Sequence, residues 1–179
     1  RPIQVYEKIA DHENFNLVAN VTVGVDLSIA ALKQHYHAVV LANGTESGRL
    51  MHIPGEHLTG CHSATAFVGW YNGHPDFRDY VFDLSHETAV IVGQGNVAID
   101  VARVLAKTPA EMAETDLADY AAEAIHGSPL TDVFMFGRRS AADAKFTNKE
   151  LREMGDLENC VPIVDKEQIP DEVTSEMSE

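Results

Sequence analysis

Cysteine, cations and long apolar runs are all scarce in this sequence, and each shortage closes a class of function. Cys61 and Cys160 are the two cysteines among 179 residues, and they stand far apart. Without a CxxC spacing they support neither a redox pair nor a zinc site and read as reduced structural thiols. None of the nine histidines falls in an HExxH or other metal-ligand spacing. His35 and His37, which flank Tyr36, therefore read as structural. Lys and Arg number 13 against 28 Asp and Glu, a formal charge of -15. Such a surface repels phosphate backbones and anionic membranes, so nucleic acid is not an expected partner. No apolar run reaches membrane-spanning length, no signal-type segment precedes the first expected strand, and the first residue is Arg1. The expectation is a soluble piece of a longer protein. The sequons Asn20-Val21-Thr22 and Asn43-Gly44-Thr45 are too short and common a pattern to carry weight without a secretory signal.

An apolar fraction of 45% over this length can bury the core of one domain, or of one domain and a piece of another. The segment "NVTVGVD" alternates like a half-buried strand, and His37 to Leu41, an apolar run closed by Asn43 and Gly44, suit a strand buried on both faces of a parallel sheet. Residues 45 to 87 read as connector with a short helix at most, and a domain boundary is expected near its start. Thr88 to Gly93 predict a second strand of the type buried on both faces. Asn96 to Lys107 predict a helix whose apolar face carries Val97, Val101, Val104 and Leu105. Thr108-Pro109 interrupts that helix, since proline disfavours helical geometry in the residue before it. Pro109 to Gly127 then predict one or two acidic helices, "TDVFMFGRRS" a third buried strand, and "FTNKELREM" a helix from about Thr147. The acidic tail from Asp165 to Glu179 is expected to be mobile. No internal repeat is present.

The order strand, Gly93-x-Gly95-x-x-Ala98, helix is what a dinucleotide-binding turn requires. Gly93 permits the tight turn, Gly95 lets the backbone approach a pyrophosphate, and Ala98 lets helix pack on strand. The unsatisfied amides around Asn96 and Val97 would face the phosphates. At the end of the next strand, where a carboxylate would accept from an NAD ribose hydroxyl, stand Gly137, Arg138 and Arg139. Two guanidiniums offer bidentate donors to a 2′-phosphate, which points to NADP. Arg138 lies 45 residues after Gly93 rather than the usual ~20, and the helical insertion between Thr108 and Gly127 accounts for the excess.

With these motifs the chain resembles the adrenodoxin reductase family of NADPH-dependent, FAD-containing ferredoxin reductases. The matching stretches are "NVTVGVDL", "YHAVVLANG", "IPGEHLTG", "AFVGWYNGHP", "DLSHETAVIVGQGNVAIDVARVL", "TDLADYA" and "FGRRSAADAKFTNKELREM", which cover most of residues 17 to 154. The resemblance implies an α/β fold with a Rossmann-like NADP domain inserted into an FAD domain. Residues 1–47 would be a returning segment of the FAD domain and 48–179 an NADP-binding domain incomplete at its C-terminal side. Val23 matches a position that touches FAD. Gln94, Gly95, Asn96 and Val97 match the pyrophosphate turn, beside Gly93, and Arg138, Arg139 and Glu150 match the group around the 2′-phosphate ribose. Glu150 is expected to orient an arginine or accept from a hydroxyl. Asp100, one helical turn beyond Asn96, matches a position near nicotinamide and flavin and is the candidate for proton handling.

The resemblance further implies that hydride passes from NADPH to FAD and that single electrons then pass to an acidic 2Fe-2S ferredoxin. Arg152, with Lys149 beside it, is the candidate docking contact. Two departures qualify the match. "LANG" replaces the usual Ala-Thr-Gly ending of the crossing strand, and the amino-terminal GxGxxG and carboxy-terminal flavin segment of the FAD domain are absent. The chain alone is thus expected neither to hold FAD nor to turn over. The alternatives are the reductase subunit of a glutamate synthase, another NADPH-flavin oxidoreductase, and a non-catalytic NADP-sensing module. The compartment would be the mitochondrial matrix in a eukaryote and the cytoplasm in a bacterium.

Overall fold

The computed structural model describes residues 2–45 and 47–169, and the chain divides into two compact units, residues 1–44 and 45–179. In the first, helix α1 spans Pro2–Ala10 and helix α2 spans Ile29–His35. The Ser28 hydroxyl caps α2 by accepting from the Ala31 amide at 3.1 Å. The strand expected in "NVTVGVD" does not form. Gly24 sits at φ +99°, its amide donates to the Leu27 carbonyl at 2.8 Å, and the Asp26 carboxylate accepts from the Thr22 amide at 2.8 Å. The segment is a tight turn closed by a single Val23–Leu27 bridge. The expected strand at His37 to Leu41 is irregular too, with Val40 85% exposed. A strand needs neighbouring backbone to satisfy its amides and carbonyls, and among the described residues of this unit there is none.

In the second unit, helix α3 (Ala64–Tyr71) starts at Ser63, whose hydroxyl accepts from the Ala66 amide at 3.2 Å. Strand β1 (Thr88–Val92) leads through the glycine turn into helix α4 (Asn96–Ala106). The acidic insertion forms two short helices, α5 (Pro109–Met112) and α6 (Asp119–His126). Thr108 and Glu111 make a reciprocal cap on α5, which explains why α4 stops where it does. Strand β2 (Asp132–Phe136) returns beside β1, parallel to it, in the register Thr88 to Asp132 through Val92 to Phe136. Helix α7 (Asn148–Gly155) follows, capped by Thr147. The described part of the tail holds a 3-10 turn at Lys166–Gln168, and the rest of the stretch expected to be mobile, residues 170–179, lies outside the described residues.

The core gathers Phe67, Trp70 and Tyr71 of α3, Val101 of α4 and Ala121 and Ile125 of α6. The Tyr120 hydroxyl donates to the Trp70 carbonyl at 2.8 Å and the Ala118 amide to the Tyr71 carbonyl at 3.0 Å, so the insertion is docked onto α3. Two readings of the sequence need correction. The strands are not covered on both faces: Val90, Val92, Phe134 and Phe136 are each half-exposed, because only one side of this two-stranded sheet carries helices among the described residues. The buried face of α4 is Ala98, Ile99, Val101 and Ala102, while Val97 is 52% exposed. The sheet is parallel, its connection is helical, and the glycine turn opens α4: this is an α/β unit, part of a Rossmann-like domain.

Candidate functional site

A cavity of about 340 Å³ opens where β1 turns into α4. Gly93, Gly95, Asn96, Val97 and Ala98 line it, joined by Ala64 from α3 and Lys145 from the loop before α7. A Cβ on Gly95 would meet nothing within 4 Å, so the backbone here faces open space into which a ligand can come close. Gly95 is also the residue before α4 and brings no capping side chain, leaving the first amides of the helix without a side-chain acceptor. A Cβ on Gly93 would come 3.5 Å from the Ala98 methyl, an ordinary contact, so helix and strand pack closely at this turn. Exposed amides, a positive helix end and an approachable backbone fit an anionic phosphate group. Val97, expected both on the packing face of α4 and at the pyrophosphate turn, lines this cavity.

The segment from Gly137 to Thr147 is tied to that turn at three points. The Gln94 side-chain amide donates to the Arg139 carbonyl at 3.2 Å, and the Lys145 amide donates to the Gln94 carbonyl at 2.7 Å. The Asn96 side-chain oxygen accepts from the Thr147 amide at 2.9 Å. Gln94, expected to meet the ligand, therefore points its side chain at the arginine loop. Arg138 and Arg139 are exposed, and Arg139 lies 3.7 Å from the Asp143 carboxylate, itself held by the Ser140 hydroxyl at 2.9 Å.

Glu150 does not reach the arginine pair. Its carboxylate lies 3.2 Å from the Arg103 guanidinium of α4, an ion pair without hydrogen-bond alignment, since its buried oxygen has no aligned donor. The same guanidinium meets Asp100 and Glu153, so Arg103 binds α4 to α7 and gathers three carboxylates. Sequence reasoning missed Arg103, although its spacing of three from Asp100 was a visible signal for a pair on one helix face. Lys145 was missed as well; it is the cation between Arg139 and Lys149, but only the fold places it at the turn. Asp100 also faces Tyr71, whose phenol is pushed up first by burial and then by that carboxylate. Lys149 pairs with Glu153 at 3.6 Å, and Arg152 is exposed. Val23 belongs to the other unit, where it is half-exposed. Among the described residues no cluster could hold a metal ion, and no helix is long and apolar enough to cross a membrane.

No family model matches the chain. Curated relatives do. The mitochondrial NADPH:adrenodoxin oxidoreductase of Arabidopsis thaliana is 46% identical over 158 residues, 88% of this chain and 33% of that protein. The NADPH-ferredoxin reductase FprA of Mycobacterium tuberculosis is 42% identical over 171 residues, 96% of this chain and 37% of that protein. The solved structure of FprA from the same organism in complex with NADPH superposes with a TM-score of 0.79 at 44% identity, covering 87% of this chain and 34% of that one. The chain spans about a third of the length of the relatives it matches. By sequence over most of its length and by fold, the chain is similar to about a third of the length of the adrenodoxin reductases and FprA.

Proposed function

We propose that this chain is the NADPH-holding part of an FAD-dependent ferredoxin reductase. The observation that carries the reading is one frame joining two anion sites: the uncapped start of α4 beside Gly95, and the arginine loop fastened to it by Gln94. The first suits a pyrophosphate, and Arg138 and Arg139 suit a 2′-phosphate. They supply local positive charge on a chain of net charge -15. The FprA structure bound to NADPH supports the assignment. In this reading residues 48–179 form the NADP part, and residues 1–47 return from an FAD domain in which Val23 faces the flavin.

When bound, the two cofactors supply hydride and electron transfer; the protein positions them. Gly93, Gly95, Asn96 and Val97 hold the pyrophosphate, and Gln94 and Glu150 act through the arginines they adjoin or hold. Asp100 is the proton-handling residue, paired with the Arg103 guanidinium. A 2Fe-2S ferredoxin docks beside Arg152 and Lys149. The mitochondrial and mycobacterial relatives support a matrix location in a eukaryote and a cytoplasmic one in a bacterium.

Calorimetric titration of the full-length protein with 2′,5′-ADP and 5′-AMP tests the reading. Charge-assisted contacts of roughly 1.5–3 kcal/mol each give at least about tenfold preference for 2′,5′-ADP, lost in Arg138→Ala/Arg139→Ala. Equal affinity for both nucleotides would end the NADP assignment. Unchanged hydride transfer and coupling in Asp100→Asn, or unchanged low-salt ferredoxin affinity in Arg152→Ala, would remove those two roles.

A further inference from the structure

The side chain of Gln94 and the missing side chain of Gly137 fit one another. A Cβ on Gly137 would fall on the Cγ, Cδ and Nε2 atoms of Gln94. The glutamine thus lies where an alanine methyl would be, half-buried, with its amide nitrogen on the Arg139 carbonyl at 3.2 Å. A carbonyl accepts only, so the amide end of the side chain is the end that can bind there. The Gln94 backbone is fixed in turn, its carbonyl taking the Lys145 amide at 2.7 Å, and Gly95 forms a parallel bridge with Lys145. Arg138 and Arg139 are exposed in the short link between β2 and a 3-10 turn at Ala141–Asp143, and this link is tied to the phosphate turn by the Gln94 side chain and by the loop's return at Lys145.

We propose that Gln94 is a positioning residue for 2′-phosphate recognition, and that position 137 is glycine because that strut must pass through it. The glutamine sets the distance between the phosphate turn and the arginine pair, so that a nucleotide seated on the turn brings its 2′-phosphate to the guanidiniums without reordering the loop. Pre-ordering raises affinity for the nucleotide that uses both ends and does little for one that uses the turn alone. The inference rests on the NADP reading above and adds a residue whose effect passes through others.

The test is titration of the full-length protein with 2′,5′-ADP and with 5′-AMP in Gln94→Ala, Gln94→Met, Gly137→Ala and the double variant Gln94→Ala/Gly137→Ala. Gln94→Met keeps the chain length and removes the donor. Loss of one neutral hydrogen bond predicts that the preference for 2′,5′-ADP falls about two- to tenfold in both Gln94 variants, with 5′-AMP affinity nearly unchanged. Gly137→Ala expels the strut and produces the same fall, and the double variant falls no further than Gln94→Ala. A preference retained in both Gln94 variants, or additive losses in the double variant, overturns the proposal while leaving the NADP reading intact. If Gly137→Ala does not fold, the two Gln94 variants decide alone. A wild-type protein without preference sinks the NADP reading itself.

Discussion

Two valine-rich stretches with an embedded or following glycine, "NVTVGVD" and "TAVIVG", have opposite fates. The second becomes β1, paired along its whole length with β2; the first folds back on itself around Gly24. Both carry β-branched residues, so propensity does not separate them. What separates them is a partner: β1 finds parallel backbone through the α4 crossover, and the described residues of the first unit offer none. Exposure follows from that, with Val25 81% and Val40 85% exposed in the first unit while Trp70 of the second is 5% exposed.

The comparison can be broken by mutation, and the largest effect is expected at Trp70. Its ring packs between Phe67, Phe82 and Tyr120 at centroid distances of 5.6, 5.0 and 5.8 Å. Trp70→Ala should cost about 3–5 kcal/mol in the 179-residue chain, read from denaturant unfolding. Val40→Ala should stay within about 0.5 kcal/mol in the same chain. If Val40→Ala costs a kilocalorie or more, about the scale of a packed strand position, in the full-length gene product, the segment pairs there, and the partner argument is sharpened. Equal costs for Trp70 and Val40 in the 179-residue chain would dissolve the distinction.

A smaller effect separates the two units through their helix caps. Thr108 accepts from the Glu111 amide at 3.3 Å, and Glu111 takes the Thr108 amide at 2.7 Å and the Glu158 amide at 3.1 Å, so this cap also ties down the chain after α7. Thr108→Ala should lower stability by about 1 kcal/mol. Ser28→Ala removes the cap of the exposed helix α2, and in thermal unfolding it should leave the main transition of the aromatic core in place. A shift of that transition by Ser28→Ala equal to the Thr108→Ala shift would mean that the units unfold together.

Periodicity made β1, α4, β2 and α7 legible, and the glycine spacing made the turn legible, because each is a property of neighbouring residues. Helices α1 and α2 went unread; for α2 the signal was present in Ser28 ahead of "IAALKQH". The ties that make the site were beyond reach for a different reason. Gln94 with Arg139, and Asn96 with Thr147, are separated by 45 and 51 residues, and no local pattern encodes such a pair. Glu150 shows the limit most clearly: its place near the ribose group was inferred by resemblance, whereas its partner, Arg103, emerges only when α4 and α7 pack together.

The smallest expected effect lies where α3 packs on α4. Burial, and then the Asp100 carboxylate, hold the Tyr71 phenol protonated beyond the usual tyrosine value of 10.0. The unfolded chain ionises Tyr71 near that value, so above it the folded state binds more protons than the unfolded state, and stability falls as pH rises until the folded phenol also ionises. Tyr71→Phe removes this contribution. The melting temperature of the wild type should therefore drop relative to Tyr71→Phe between about pH 9.5 and pH 11, while the difference stays flat from about pH 7 to pH 9. The other tyrosines titrate in both proteins and cancel from the difference. A difference that stays flat through about pH 11 would mean that Tyr71 ionises as readily folded as unfolded. Both its burial in the aromatic core and its exposure to Asp100 would then be weaker than the packing of α3 on α4 implies.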